Sequence, residues 1–186
     1  MLMIEQTFGP RRCKDTRKPT WTECPEVTFY QCDKCGALYP VTTRGGSGRP
    51  EITCCGNKLE PLVPAAYDEE KGLEGGIKLS YQITGGYNDN AVKVAWRDKS
   101  FRWKPKWIYL KTFVGGYLKY ITEDKRSPMV FALADTDAFC YCDEDPCLEC
   151  TFRCKRGFVI YYYGDDIGLV EIPLDKFNPY WQSESK

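Results

Sequence analysis

Cys54 and Cys55 are adjacent in the stretch TCCGNKLEP, and Gly56 follows them. A disulfide between neighbours would close a ring too small for relaxed disulfide geometry, and burial as two small apolar residues leaves the pairing unexplained. Neighbouring residues of a strand point to opposite faces, so two adjacent thiols reach one target only where the chain turns. Gly56 supplies the freedom to turn. Upstream, Cys32 and Cys35 form a C-x-x-C followed by Gly36, a spacing that folds as a knuckle and aims two sulfurs at one point. The two pairs together predict four thiolates around one tetrahedral ion at Cys32, Cys35, Cys54 and Cys55. The competing reading is a set of unrelated buried or reactive thiols. Spacing does not choose between iron and zinc, because both accept four thiolates.

The chain has 186 residues and no histidine. Histidine is the commonest metal ligand and the usual general base near neutral pH, so His-containing triads and His-ligated zinc or iron are excluded. Any catalytic metal must use sulfur, oxygen or backbone donors. Basic and acidic residues balance at 26 each, which argues against nucleic acid or an anionic membrane surface as partner. The opening stretch MLMIEQTFGPRRCKD has no apolar run of the length that a signal peptide or membrane span needs, so a cytoplasmic location is expected. In a reducing compartment, eleven cysteines read more readily as metal ligands than as disulfides.

Residues 1–25 read as an extended arm, rich in Pro and basic residues. Residues 26–64 hold the metal candidate, with the glycine-rich TRGGSGRP as a hairpin or loop between the cysteine pairs. Residues 62–75 read as a polar linker in which a short helical turn is possible. From Gly76 the period becomes two: Ile77, Leu79, Tyr81 and Ile83 alternate with Lys78, Ser80, Gln82 and Thr84, as in a strand with one buried face. AVKVAW, KWIYLKTF, YLKYI, MVFALA, FVIYYYG and LVEIPL continue as short β-rich runs broken by turn residues. Residues 65–186 are therefore expected to form an antiparallel β-sandwich or barrel, carrying a Cys-rich loop at 140–154.

QCDKCG, CCGNKLEPLVP and the β-rich half after them resemble the desulfoferrodoxin family, and the vicinal Cys-Cys-Gly is the specific part. The resemblance implies a mainly β protein: a small desulforedoxin-like metal-knuckle domain, then a superoxide-reductase-like domain in the form of an immunoglobulin-like sandwich. It implies iron on Cys32, Cys35, Cys54 and Cys55, and a homodimer. That family holds its superoxide-reducing iron with four histidines and one cysteine. Here the matching stretch YGDDIGLV has Gly164 at the cysteine position and Ile167 at a histidine position, and FRWKPKWIYLKT lacks the upstream histidines. Gly and Ile offer no side-chain donor, so ordinary superoxide reductase activity is expected to be absent. Asp165 and Asp166 read better as a hairpin turn than as substitute oxygen ligands.

FCYCDEDPCLECTFRCKRGF contains Cys140, Cys142, Cys147, Cys150 and Cys154. Nearby acidic residues raise thiol pKa values, and a bound cation would offset them. Cys142, Cys147, Cys150 and Cys154 form C-x4-C-x2-C-x3-C, enough for a second zinc, an iron or an iron-sulfur cluster. Disulfides, a thiol redox pair and inert cysteines are the alternatives. Trp96, Trp103, Trp107, Tyr109 and Phe113, with the run Tyr161 to Tyr163, read as the core and rim of the sandwich. The function expected first is an iron-binding electron-transfer protein with a redox protein partner. The rivals are a zinc-stabilised interaction module without enzymatic activity, and an enzyme built on the 140–154 loop.

Overall fold

The structure is a computed structural model. It describes residues 25–44, 48–84, 91–100, 102–112, 114–133, 137, 139–140, 155–156 and 158–173. No α-helix occurs among them. Two small antiparallel hairpins come first: β1 (Glu26–Gln31) with β2 (Leu38–Thr43), then β3 (Ile52–Cys54) with β4 (Asn57–Leu59). After them come β5 (Ala65–Ala66), β6 (Lys78–Thr84), β7 (Ala91–Arg97), β8 (Trp107–Lys111), β9 (Gly116–Tyr120) and β10 (Met129–Ala132). The last four strands are β11 (Phe139–Cys140), β12 (Lys155–Arg156), β13 (Val159–Gly164) and β14 (Gly168–Pro173).

Two sheets form the sandwich, one of three strands ordered β10-β7-β6 and one of five ordered β5-β14-β13-β8-β9. Alternation along the strands explains why they stack. Leu79 and Tyr81 of β6, Val92, Val94 and Trp96 of β7, and Met129 and Phe131 of β10 are buried, while the residues between them are not. They meet Ile108 and Leu110 of β8, Ile160 and Tyr162 of β13, and Val170 and Ile172 of β14 in one apolar cluster. Burial of such side chains contributes about 1.5–3 kcal/mol each. The Tyr162 hydroxyl crosses that core to donate to the Ser80 carbonyl at 3.2 Å, which keeps a buried polar group satisfied.

β8 breaks the one-sided pattern, because Trp107, Ile108, Tyr109 and Leu110 are all buried. A strand buried on both faces needs cover on both. The second cover is the β1-β2 hairpin: Phe29 packs with Trp107, Tyr109, Tyr161 and Leu169 on the outer face of the five-stranded sheet. The consecutive tyrosines divide accordingly. Tyr162 enters the sandwich core, while Tyr161 and Tyr163 belong to the outer cluster.

The stretch 62–75, expected as linker, contributes more than a connection. β5 adds to β14 as a parallel edge strand, and residues 74–76 form a 3-10 turn. Two alanines carry too little side-chain pattern to reveal a strand, and it is the β14 edge that orders them.

Candidate metal centre

Local turns bring the first four cysteines together. The knuckle after β1 is closed by two backbone bonds, from the Gly36 N–H to the Cys32 carbonyl at 2.7 Å and from the Cys32 N–H to the Ala37 carbonyl at 2.9 Å. The vicinal pair sits at the β3-β4 turn, where Cys54 pairs with Asn57. There Cys55 has φ +50° and Gly56 φ +79°. A left-handed residue other than glycine costs roughly 1–2 kcal/mol, and the reversal turns the second sulfur toward the first. The two hairpins are held together by a bridge between Tyr30 and Pro61, and by the Tyr30 hydroxyl donating to the Pro50 carbonyl at 3.1 Å.

The sulfurs of Cys32, Cys35, Cys54 and Cys55 all lie within 4.8 Å of one another. Cys35 and Cys54 are 3.6 Å apart, and Cys54 and Cys55 are 3.9 Å apart. A tetrahedron with metal–sulfur bonds of about 2.3 Å has edges of about 3.8 Å. The two distances bracket that edge and far exceed a disulfide bond of about 2.05 Å, and all four cysteines are free thiols. The donor set fits a single thiophilic ion. Among the described residues no second group of three or more Cys, Asp or Glu converges in this way.

The set is asymmetric. Cys32 is buried and Cys54 half-buried, whereas Cys35 and Cys55 are exposed. Tyr39 of β2 donates its hydroxyl to the Cys54 sulfur at 3.2 Å. Backbone N–H donation from Cys35, ahead of the opposing effect of burial, pulls the Cys32 thiol down to about 7. Cys55 is pushed up to about 12, first by the Cys35 side chain and then by Cys54 and Cys32. For Cys54 the Tyr39 hydroxyl is the largest influence and lowers its pKa, yet Cys35, burial and Cys32 outweigh it, and the net shift is upward. The Tyr39 phenol rises to about 12, chiefly because it donates to Cys54. Four crowded thiols resist ionising together, and a dication removes that conflict.

Tyr39 is a site residue that sequence reasoning missed. Within LYPV it is one of several strand residues, and only its register opposite Tyr30 puts its hydroxyl beside the sulfurs. Cys142, Cys147, Cys150 and Cys154 lie outside the described residues. At their flanks, Cys140 pairs with Lys155 across β11 and β12.

Asp165 and Asp166 occupy the turn between β13 and β14, where Gly164 pairs with Gly168. Both carboxylates have partners: Asp165 forms an ion pair with the Lys106 ammonium at 2.6 Å, and Asp166 accepts from the Trp103 indole N–H at 2.6 Å. They turn the chain, and among the described residues no set of metal ligands gathers around them.

The fold has a solved counterpart. The chain is similar to a crystal structure of the superoxide reductase from Treponema pallidum, with a TM-score of 0.51 and 16% identity over 79% of this chain and 98% of that one. At this identity the likeness is one of fold. The sequence matches no family model and no curated protein. No helix among the described residues is long and apolar enough to cross a membrane.

Proposed function

We propose that the chain is an iron-binding electron-transfer protein of desulfoferrodoxin-like build. Cys32, Cys35, Cys54 and Cys55 hold the iron, and with no histidine in the chain the usual superoxide-reducing site of four histidines and one cysteine is absent. One observation carries this reading: two of the four cysteines, Cys35 and Cys55, are exposed residues, so an electron crosses from the cage to a docked partner without passing through the core. A purely structural ion needs no such edge. The iron supplies a one-electron couple, and the chain's own groups hold and tune it. The knuckle N–H groups steady Cys32, the turn at Cys55 and Gly56 delivers the last sulfur, and Tyr39 donates to Cys54. A redox protein partner and a homodimer, both cytoplasmic, belong to the same reading.

Anaerobic purification with metal analysis and a visible spectrum tests it. Coloured ferric thiolate that a reductant bleaches reversibly supports the proposal. A colourless protein with stoichiometric zinc supports the second reading, a zinc-stabilised interaction module. That alternative draws on the same sulfur spacing, which zinc satisfies equally.

A further inference from the structure

We propose that Tyr39 sets the reduction potential of the metal centre through its hydrogen bond to Cys54. The inference deepens the electron-transfer reading above and rests on it.

The geometry singles out this contact. Among the described residues, Tyr39 is the side chain other than cysteine that donates to a sulfur of the set. It stands directly across the β1-β2 ladder from Tyr30, and the two phenols have different tasks. Tyr30 spends its hydroxyl on the Pro50 carbonyl and ties down the chain entering β3. Tyr39 spends its own on sulfur. Tyr39 also packs with Val41, Ile52 and Ala37 around the buried cluster of Tyr30, Cys32 and Leu59, so the phenol is held in place and partly screened from water.

The physical effect has a definite sign. When iron held by four thiolates takes one electron from an external one-electron donor, the unit gains one negative charge, part of it on sulfur. A donor aimed at that sulfur stabilises the more negative state more than the less negative one. Hydrogen bonds to charged groups are the stronger kind. The contact therefore favours the reduced form and raises the potential, as hydrogen bonds to cluster sulfurs do in general. Phenylalanine at this position keeps the ring and its packing and deletes only the donor.

The test is an equilibrium redox titration of the iron-loaded full chain, comparing wild type, Tyr39→Phe, Tyr120→Phe and a protein with 3,5-difluorotyrosine at position 39. At the potential where wild type is half reduced, Tyr39→Phe is expected to show a roughly tenfold lower reduced-to-oxidised ratio, a shift of about 59 mV to lower potential for a one-electron couple. Tyr120→Phe, which removes an exposed phenol of β9 outside the site, is expected to titrate like wild type. The more acidic fluorinated phenol, a stronger donor, is expected to shift the midpoint upward. A Tyr39→Phe protein that binds iron and titrates at the wild-type midpoint overturns the inference. Should Tyr39→Phe lose its iron, the fluorinated protein decides, and an unmoved midpoint overturns it. Should no variant hold reducible iron, the electron-transfer reading itself falls. In that case the thiolate-to-metal charge-transfer band of the cobalt-loaded proteins still reports the contact: a band displaced in Tyr39→Phe supports the sulfur bond, and an identical band removes it.

Discussion

The ring of Phe29 lies 5.1 Å from that of Trp107, centroid to centroid, and also meets Tyr109 at 5.2 Å and Tyr161 at 5.0 Å. Phe29 belongs to the strand that leads into the knuckle, and its three neighbours belong to the sandwich. The four-cysteine site is thus seated on the sandwich through one aromatic plug, three residues before its first cysteine.

Removing that plug separates stability from ligation. Phe29→Ala deletes a fully buried ring and leaves a cavity, a change that costs about 3–5 kcal/mol. The expected result is a large fall in the denaturant midpoint and a red-shifted tryptophan emission as Trp107 gains water. The metal content of the native protein is expected to stay at the wild-type value, because none of the four sulfurs is touched.

Acid should release the metal steeply. The raised pKa of Cys54 and the value of about 12 for Cys55 mean that at pH 8 both carry protons in the metal-free chain, and the metal must displace them. Apparent affinity then rises with pH by at least about two decades per unit, and Cys32 adds to the slope below its value of about 7. Competition with a chelator between pH 6 and 8 measures this slope. A slope near zero would mean that thiolates do not hold the ion.

Two glycines should respond for different reasons. At Gly56, φ is +79° and an added Cβ meets open space, so Gly56→Ala is expected to cost about 1 kcal/mol through backbone strain alone. At Gly116, an added Cβ falls 2.3 Å from the ring of Tyr109, which is buried beneath the β1-β2 hairpin. Gly116→Ala is expected to cost about 1–3 kcal/mol by overpacking. Thermal unfolding of both variants with metal bound checks the order.

Introducing a cysteine and a histidine into the β13-β14 turn should not create an iron site. A Cβ on Gly164 comes within 2.9 Å of an Asp166 carboxylate oxygen and 3.3 Å of the Ile167 side chain, and Trp103 is bonded into the same turn. Gly164→Cys combined with Ile167→His is expected to lower stability and leave the metal count unchanged. A gain of one ion per chain in the double variant would contradict this.

Much of this was legible because it depends on local chemistry. A C-x-x-C knuckle and a vicinal pair before glycine have few uses, and alternation in β6, β7 and β10 is a direct imprint of one buried face. The both-sided burial of β8 was less plain, since the cover for Trp107 and Tyr109 comes from Phe29, far away in the chain. β5 was invisible because two alanines pair only where an edge already exists. Tyr39 was missed for a related reason: its role arises from a register across β1 and β2 that no spacing within LYPV encodes.

X-ray absorption at the metal edge tests the central claim most directly, on protein in which Cys142, Cys147, Cys150 and Cys154 are replaced by serine. The account predicts one ion per chain with four sulfur neighbours at about 2.3 Å, lost when Cys54 and Cys55 are also replaced. An ion with nitrogen or oxygen in its shell, or one that survives loss of the vicinal pair, would contradict it.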